Sequence, residues 1–255
     1  MKKLITVLLI IAIAIGSVSA TETIEAYGGI GIEFANASGF KAVRISDYYK
    51  YKYAEGSLLL PLGDMNGIGV LFTISGGAKY ELIPSLNVLA EILIGYSGGG
   101  THSYQIDVGA IYELPFQILS PSFHLGAGLK LGFLDYSKGL GSAQVLPGTT
   151  PPVILDQGTI RTNDKISFSS VGIAITPLVD AKYEITRELS VGMDLGLQIS
   201  IFFSNQIYDE TQKKSIPLDD RYFYKPISDE LVRETFNPSV SLTGLKTNVH
   251  VLYKF

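Results

Sequence analysis

The sequence predicts an all-β chain, folded as one antiparallel, up-and-down transmembrane β-barrel of eight strands. Three observations predict it. Apolar residues recur with period two over eight segments, each long enough to cross a bilayer as a tilted strand. Aromatic residues gather near the segment ends, and the connections between segments alternate short and long.

Composition narrows the choice before any residue is placed. The 255 residues are 46% hydrophobic and 17% charged, and the charged fraction falls below the roughly 25% of an ordinary soluble domain. Intrinsic disorder is excluded by that balance. Beyond the first twenty residues no stretch approaches the roughly 18 uncharged apolar residues of a spanning helix, so a helical membrane protein is excluded too. The chain has no Cys, which leaves stability to burial and backbone pairing and leaves no thiol for lipid attachment.

The first element is processing, not fold. Met1–Ala20 has a basic start at Lys2 and Lys3, an apolar run from Leu4 to Ile15, and the small-residue ending Val18, Ser19, Ala20. These are the three parts of a secretory signal peptide, with cleavage expected before Thr21 and residues 21–255 left as the barrel domain. Without Lys2 and Lys3, the 20 basic residues fall to 18 against 24 acidic ones. No basic stripe is left for a nucleic-acid partner.

Each strand follows from parity. The apolar faces are Ile24, Ala26, Ile30, Ile32 and Phe34 in the first; Ile68, Val70, Phe72, Ile74, Ala78, Tyr80 and Leu82 in the second; and Val88, Ala90, Ile92, Ile94 and Tyr96 in the third. Tyr104, Ile106, Val108, Ala110, Tyr112 and Leu114 make the fourth, and Phe123, Leu125, Ala127, Leu129, Leu131 and Phe133 the fifth. The sixth has Val171, Ile173, Ile175, Val179, Ala181 and Tyr183, and the seventh runs on odd positions from Leu189 to Phe203. Leu245, Val249, Val251, Tyr253 and Phe255 close the series. Pro177 removes a ladder hydrogen bond from the sixth strand, and a bulge is expected there. Residues 42–62 could add a hairpin and make ten strands.

Alternation alone does not say which face is inside, since a soluble sandwich shows it as well. Strand length, aromatic girdles and loop asymmetry place the apolar face against lipid. Tyr80, Tyr112 and Tyr183 precede the short connections near 83–87, 115–121 and 185–189, while Tyr96, Tyr104, Phe133 and Phe203 adjoin the other end. The long connections are 36–65, 137–165 and 204–238, with Gly98–His102 a short exception. The Ala-Lys-Tyr-Glu motif at 78–81 returns at 181–184, and 110–113 is a weaker third copy, as a repeated hairpin requires.

The ionisable residues then point inward: Glu25, Glu33, Lys79, Glu81, Glu91, Asp107, Glu113, His124, Lys130, Asp180, Lys182, Glu184, Asp194, Lys246, His250 and Lys254. An eight-stranded barrel has an interior that side chains just fill, so these groups are expected to interlock as a polar plug. The alternative is a narrow, cation-favouring path, for which the inward glycines Gly29, Gly31, Gly69, Gly77, Gly126, Gly128, Gly132, Gly192 and Gly196 would leave room.

The last residues, Val249–Phe255, end on a terminal Phe with Tyr253 and Val251 alternating behind it. With the leader and the eight segments, this resembles the small bacterial outer-membrane β-barrel superfamily, the group of OmpX, OmpW and the OmpA membrane domain. The resemblance implies residence in the cell outer membrane of a Gram-negative bacterium among lipid and lipopolysaccharide. It also implies that Val251, Tyr253 and Phe255 are the signal read by the barrel-assembly machinery.

No catalytic residue or metal site is expected, and no cofactor. Small outer-membrane barrels include lipid-modifying enzymes and proteases, and His102 with Ser103 is the best candidate pair here. Neighbours on a strand point to opposite faces, however, and no orienting carboxylate adjoins them. Asp209, Glu210, Asp219, Asp220, Asp229 and Glu230 lack the rhythm of a calcium loop. Arg44, Tyr48, Tyr49, Lys50, Tyr51, Lys52 and Tyr53 interleave aromatic and basic residues, and are candidates to meet lipopolysaccharide phosphates or a host surface ligand. The expected role is non-enzymatic, structural or adhesin-like, with a porin-like channel for small solutes as the alternative.

Overall fold

The computed structural model describes residues 24–39, 43–46, 57–60, 65–114, 122–142, 144–145, 165–217, 223–224 and 240–255. The expected signal peptide and the Tyr48–Tyr53 run lie outside the described residues. Among the described residues thirteen strands form in chain order: β1 (Ile24–Ser38), β2 (Val43–Ser46), β3 (Ser57–Leu60), β4 (Gly67–Ile83), β5 (Leu86–Ser97), β6 (Thr101–Glu113) and β7 (Phe123–Ser142), then β8 (Gln144–Val145), β9 (Lys165–Glu184), β10 (Leu189–Asp209), β11 (Lys214–Pro217), β12 (Phe223–Tyr224) and β13 (Ser241–Lys254).

Eight of them close a ring, β1-β4-β5-β6-β7-β9-β10-β13 and back to β1. Every pairing is antiparallel between strands that follow one another in the wall, which is the up-and-down barrel. Closure leaves no free edge along the middle of the wall, the condition a sheet must meet in hydrocarbon. The first and last strands meet in register from Glu25 opposite Lys254 to Ser38 opposite Ser241.

The chain between β1 and β4 does form a hairpin, with Val43 opposite Leu60, but it does not enter the wall. It belongs to a separate four-stranded sheet, β12-β2-β3-β8, drawn from three different connections that leave the same end of the barrel. The barrel therefore has eight staves, not ten.

The wall is inside out. Ile30, Phe72, Ile74, Ile92, Leu131, Ile201 and Val251 are exposed on the outer face, whereas Glu33, Glu91, Asp107, Lys130 and Asp194 are buried within. On β10 the outward run from Val191 to Phe203 carries no charge. At about 3.3 Å per residue and a tilt of about 40°, it rises about 30 Å, the thickness of a bilayer's hydrocarbon core.

Aromatic side chains mark both rims: Tyr96, Tyr104, Phe133 and Phe203 at one, Tyr112, Tyr183, Tyr253 and Phe255 at the other, all exposed. Tyr80 departs from the expected girdle, being only 8% exposed. The short connection after β4 is a two-residue turn at Pro84 and Ser85, with Ser85 at a φ of 70°. At the opposite end β5 and β6 are joined by Gly98, Gly99 and Gly100, and the φ values of 72° and 75° at the last two suit glycine.

One expectation about irregularity is corrected. The expected bulge at Pro177 is absent: Gly196 opposite Leu178 and Ile199 opposite Ile175 keep one register across it, and on the other side Leu129 faces Pro177 without a shift. The lost donor is absorbed by a gap in the β9–β10 pairing alone. The bulge on that ladder lies instead between Phe202 and Ser204, and it turns odd positions inward, so that Ile207 and Asp209 are buried.

Candidate functional site

Side chains from facing staves meet across the lumen. Lys79 of β4 reaches Asp180 of β9, directly opposite in the ring, at 3.3 Å. Lys246 of β13 and Asp107 of β6, also opposite, are 4.0 Å apart. Between these spans Lys130 Nζ bonds Glu91 Oε2 at 2.8 Å and Asp194 Oδ2 at 3.0 Å. Gln198 donates from Nε2 to Glu33 at 3.0 Å, and Asn248 donates to the Ser75 hydroxyl at 2.8 Å. Removing two charges from water is costly unless they are paired and hydrogen-bonded; Lys79 with Asp180 and Lys130 with Glu91 and Asp194 meet that condition, while Lys246 and Asp107 are paired by charge alone.

The middle of the barrel is closed. Glu91 is 2% exposed, Asp107 0%, Lys130 5% and Asp194 7%, so water reaches almost none of the surface that an ion path would have to use. Of the nine inward glycines only Gly69, at the long-loop end, has open space beside it, and the other eight leave no channel. A Cβ on Gly132 would run into the Asp107 carboxylate, and one on Gly192 into the His250 ring. The space a side chain gives up at those positions is taken by the partner across the strand.

Toward the short-turn end the network opens to solvent. Lys182 lies 3.4 Å from both Glu25 and Glu113. His124 stands between Glu113, 3.8 Å from Nδ1, and Glu184, 3.4 Å from Nε2. Asn87 donates to Glu113 at 3.0 Å. Glu81, expected inside, sits beside the bulge at Leu82 and is exposed at the rim; Glu184 and Lys254 are likewise exposed.

Toward the long-loop end the interior turns apolar, which parity did not foresee. Leu71, Leu93, Leu134, Phe168, Phe202 and Leu242 point inward and are buried. A signal for them was present: Val70-Leu71-Phe72, Ile92-Leu93-Ile94 and Ile201-Phe202-Phe203 are unbroken apolar triplets, and a strand apolar at three consecutive positions is apolar on both faces. A second small group, Leu89, Ile111 and Leu178, packs within the wall nearer the short turns.

His102 and Ser103 lie in β6, not in a loop. Ser103 faces inward and is buried, whereas His102 faces outward against the Tyr104 ring at 5.7 Å, edge to face. The two cannot act on one another. Among the described residues no group of three or more His, Asp or Glu could hold a metal ion. Arg44 lies in β2, and Lys50, Lys52 and the four tyrosines around them lie outside the described residues. Val251, Tyr253 and Phe255 form an exposed apolar row at the end of β13, with the Tyr253 and Phe255 rings 5.0 Å apart.

No protein-family model matches the chain, and no curated protein matches it. Solved structures similar to it include a major outer membrane protein of Thermus thermophilus, at 13% identity over 92% of this chain and 100% of that one, with a TM-score of 0.47. Neisserial surface protein A is similar at 16% identity over 90% and 97%, with a TM-score of 0.40. The outer membrane protease OmpT of Escherichia coli is similar at 12% identity over 94% and 100%, also at 0.40. The closed ring itself rests on the register of its eight strand pairs, and in that architecture the chain is similar to small outer-membrane β-barrels.

Proposed function

We propose that the protein is a non-enzymatic integral outer-membrane barrel that presents long loops at the cell surface, in a structural or adhesive role, and does not conduct solutes. The observation that carries the reading is the closed middle, where Lys130 bridges Glu91 and Asp194 and water is excluded. A barrel that bars passage and whose surface is apolar around its girth has its remaining polar surface at its two ends, and the long connections leave from one of them. Three of those connections pair into one small sheet, in which β2 pairs with β3, and the sequence between these two strands carries Tyr48, Tyr49, Lys50, Tyr51, Lys52 and Tyr53. Aromatic faces alternating with ammonium groups suit phosphate-bearing or carbohydrate surfaces, and lipopolysaccharide offers both.

Two measurements test this. Because the chain has no Cys, a single introduced thiol is a unique label: Ser57→Cys is expected to react with a membrane-impermeant maleimide on intact cells, and Ser85→Cys only after lysis. The reverse pattern would overturn the topology. Purified barrel is expected to be retained on lipopolysaccharide-coated beads and, after Arg44→Gln, Lys50→Gln and Lys52→Gln together, to lose most of that retention; unchanged retention would remove the ligand and leave the structural role.

A further inference from the structure

Four of the inward lysines, Lys79, Lys130, Lys182 and Lys246, each have a carboxylate within 4.0 Å. Lys138 is the exception. It follows Leu134 and Tyr136 on the inward parity of β7, is half-buried, and has no acidic partner among the described residues. It is also the lysine that borders a cavity of about 260 Å³ at the long-loop end of the barrel. Burying an ammonium without an anion is costly, and the rest of the interior avoids it.

The cavity has two chemistries. Ala35, Ala37, Leu71 and Leu242 make an apolar wall, the two alanines supplying the space by their small size. Lys138, Tyr136 and Thr101 line it as well, the first two from β7, the stave opposite β1 in the ring. The Tyr136 ring is held by Phe202 at 5.7 Å, which fixes the phenol's position in the wall. The cavity lies where the wall is lowest: β4 pairs with β1 from Gly67 onward but with β5 only from Phe72, and the turn beginning at Gly98 borders the opening. A volume just under the roughly 300–1,000 Å³ of pockets for drug-sized ligands suits a small molecule.

We propose that this cavity binds a small anionic amphiphile, its carboxylate or phosphate head on Lys138 and its short alkyl tail against Ala35, Ala37, Leu71 and Leu242. The ligand's anion supplies the kind of partner that the barrel gives Lys79, Lys130, Lys182 and Lys246. This site is independent of the loop contacts proposed above.

The test uses the full mature chain refolded into neutral phosphatidylcholine nanodiscs, so that no detergent competes, with calorimetric titration of octanoate, octyl phosphate and octanol against empty discs. The folded protein is expected to bind octanoate or octyl phosphate about tenfold or more tightly than octanol, a factor set by one charge-assisted hydrogen bond. The tighter of the two anions identifies the head group, and either supports the site. Lys138→Met is expected to bring the anions to the octanol level while leaving octanol unchanged. Ala37→Leu is expected to abolish all three, and Ala35→Leu replaces it if heat-modifiable gel mobility shows Ala37→Leu to be unfolded. Equal octanoate affinity in the native chain and Lys138→Met, equal affinity for octanol and the anions, or no heat beyond empty discs would each overturn the proposal.

Discussion

Lys130 shows what a single residue does here. Its ammonium holds two carboxylates from two other staves at 2.8 and 3.0 Å, in a region that water does not enter. Lys130→Met keeps the length of the stem but leaves Glu91 and Asp194 facing each other without a cation, and breaking such a buried pair costs about 3–5 kcal/mol. Reversible urea unfolding of the barrel in lipid vesicles is expected to register that loss, and a change below about 1 kcal/mol would mean that the pairing is not formed in the membrane. The inward placement of Lys130, Glu91 and Asp194 was legible from parity. Their partnership was not, because β5, β7 and β10 are separated in sequence by whole strands and the tilt of the wall decides which rows meet. Tyr27 illustrates what pairing does not reach: its hydroxyl is buried and without a hydrogen-bond partner, while Lys79 lies 5.9 Å from its ring centroid. The apolar residues Leu71, Leu93 and Phe202 were legible in principle, as triplets that are greasy at consecutive positions.

At the scale of the strand, periodicity was an accurate guide where the ladder is regular and failed where it is not. β10 is the clearest case. From Leu189 to Phe202 its parity and its exposure agree position by position, because one face sees lipid and the other a packed interior. Beyond the bulge between Phe202 and Ser204 the faces exchange, and nothing in the residues Ser204, Asn205 and Gln206 announces it. Pro177 misleads in the other direction: a proline in a strand signals a bulge, yet the wall tolerates it by leaving adjacent pairing positions open. The outward face makes its own prediction. Leu197 lies near the middle of the apolar run on β10, and Leu197→Arg is expected to lower stability in bilayers by about 2–4 kcal/mol, the cost of a guanidinium at the midplane of a barrel wall. In a detergent-free aqueous sandwich the same exposed position would accept Arg with almost no change, so the measured difference separates the two orientations of the sheet.

At the scale of the whole molecule, the low charge and high apolar content that look awkward for a soluble domain describe an inverted barrel. The hydrophobic residues form its outer face, the ionisable ones its core, and closure of β1 against β13 removes the edges a sheet would otherwise expose. Eight staves and their order were legible in the sequence because each follows from local alternation and turn residues, whereas β7 and β10 run on to Ser142 and Asp209, past the expected starts of their connections at 137 and 204. The second sheet was not, since β12, β2, β3 and β8 come from three separate connections and only their spatial neighbours make them strands. Closure of the lumen is likewise a property of the assembled ring: it depends on Lys79 meeting Asp180 and on Lys246 facing Asp107 across the full width. Electrical conductance of the purified protein in a planar lipid bilayer addresses that closure directly. With the ion pairs in place, the current is expected to stay at the baseline of the bare membrane under both polarities, and steady single-channel steps from the folded, unheated protein would contradict it.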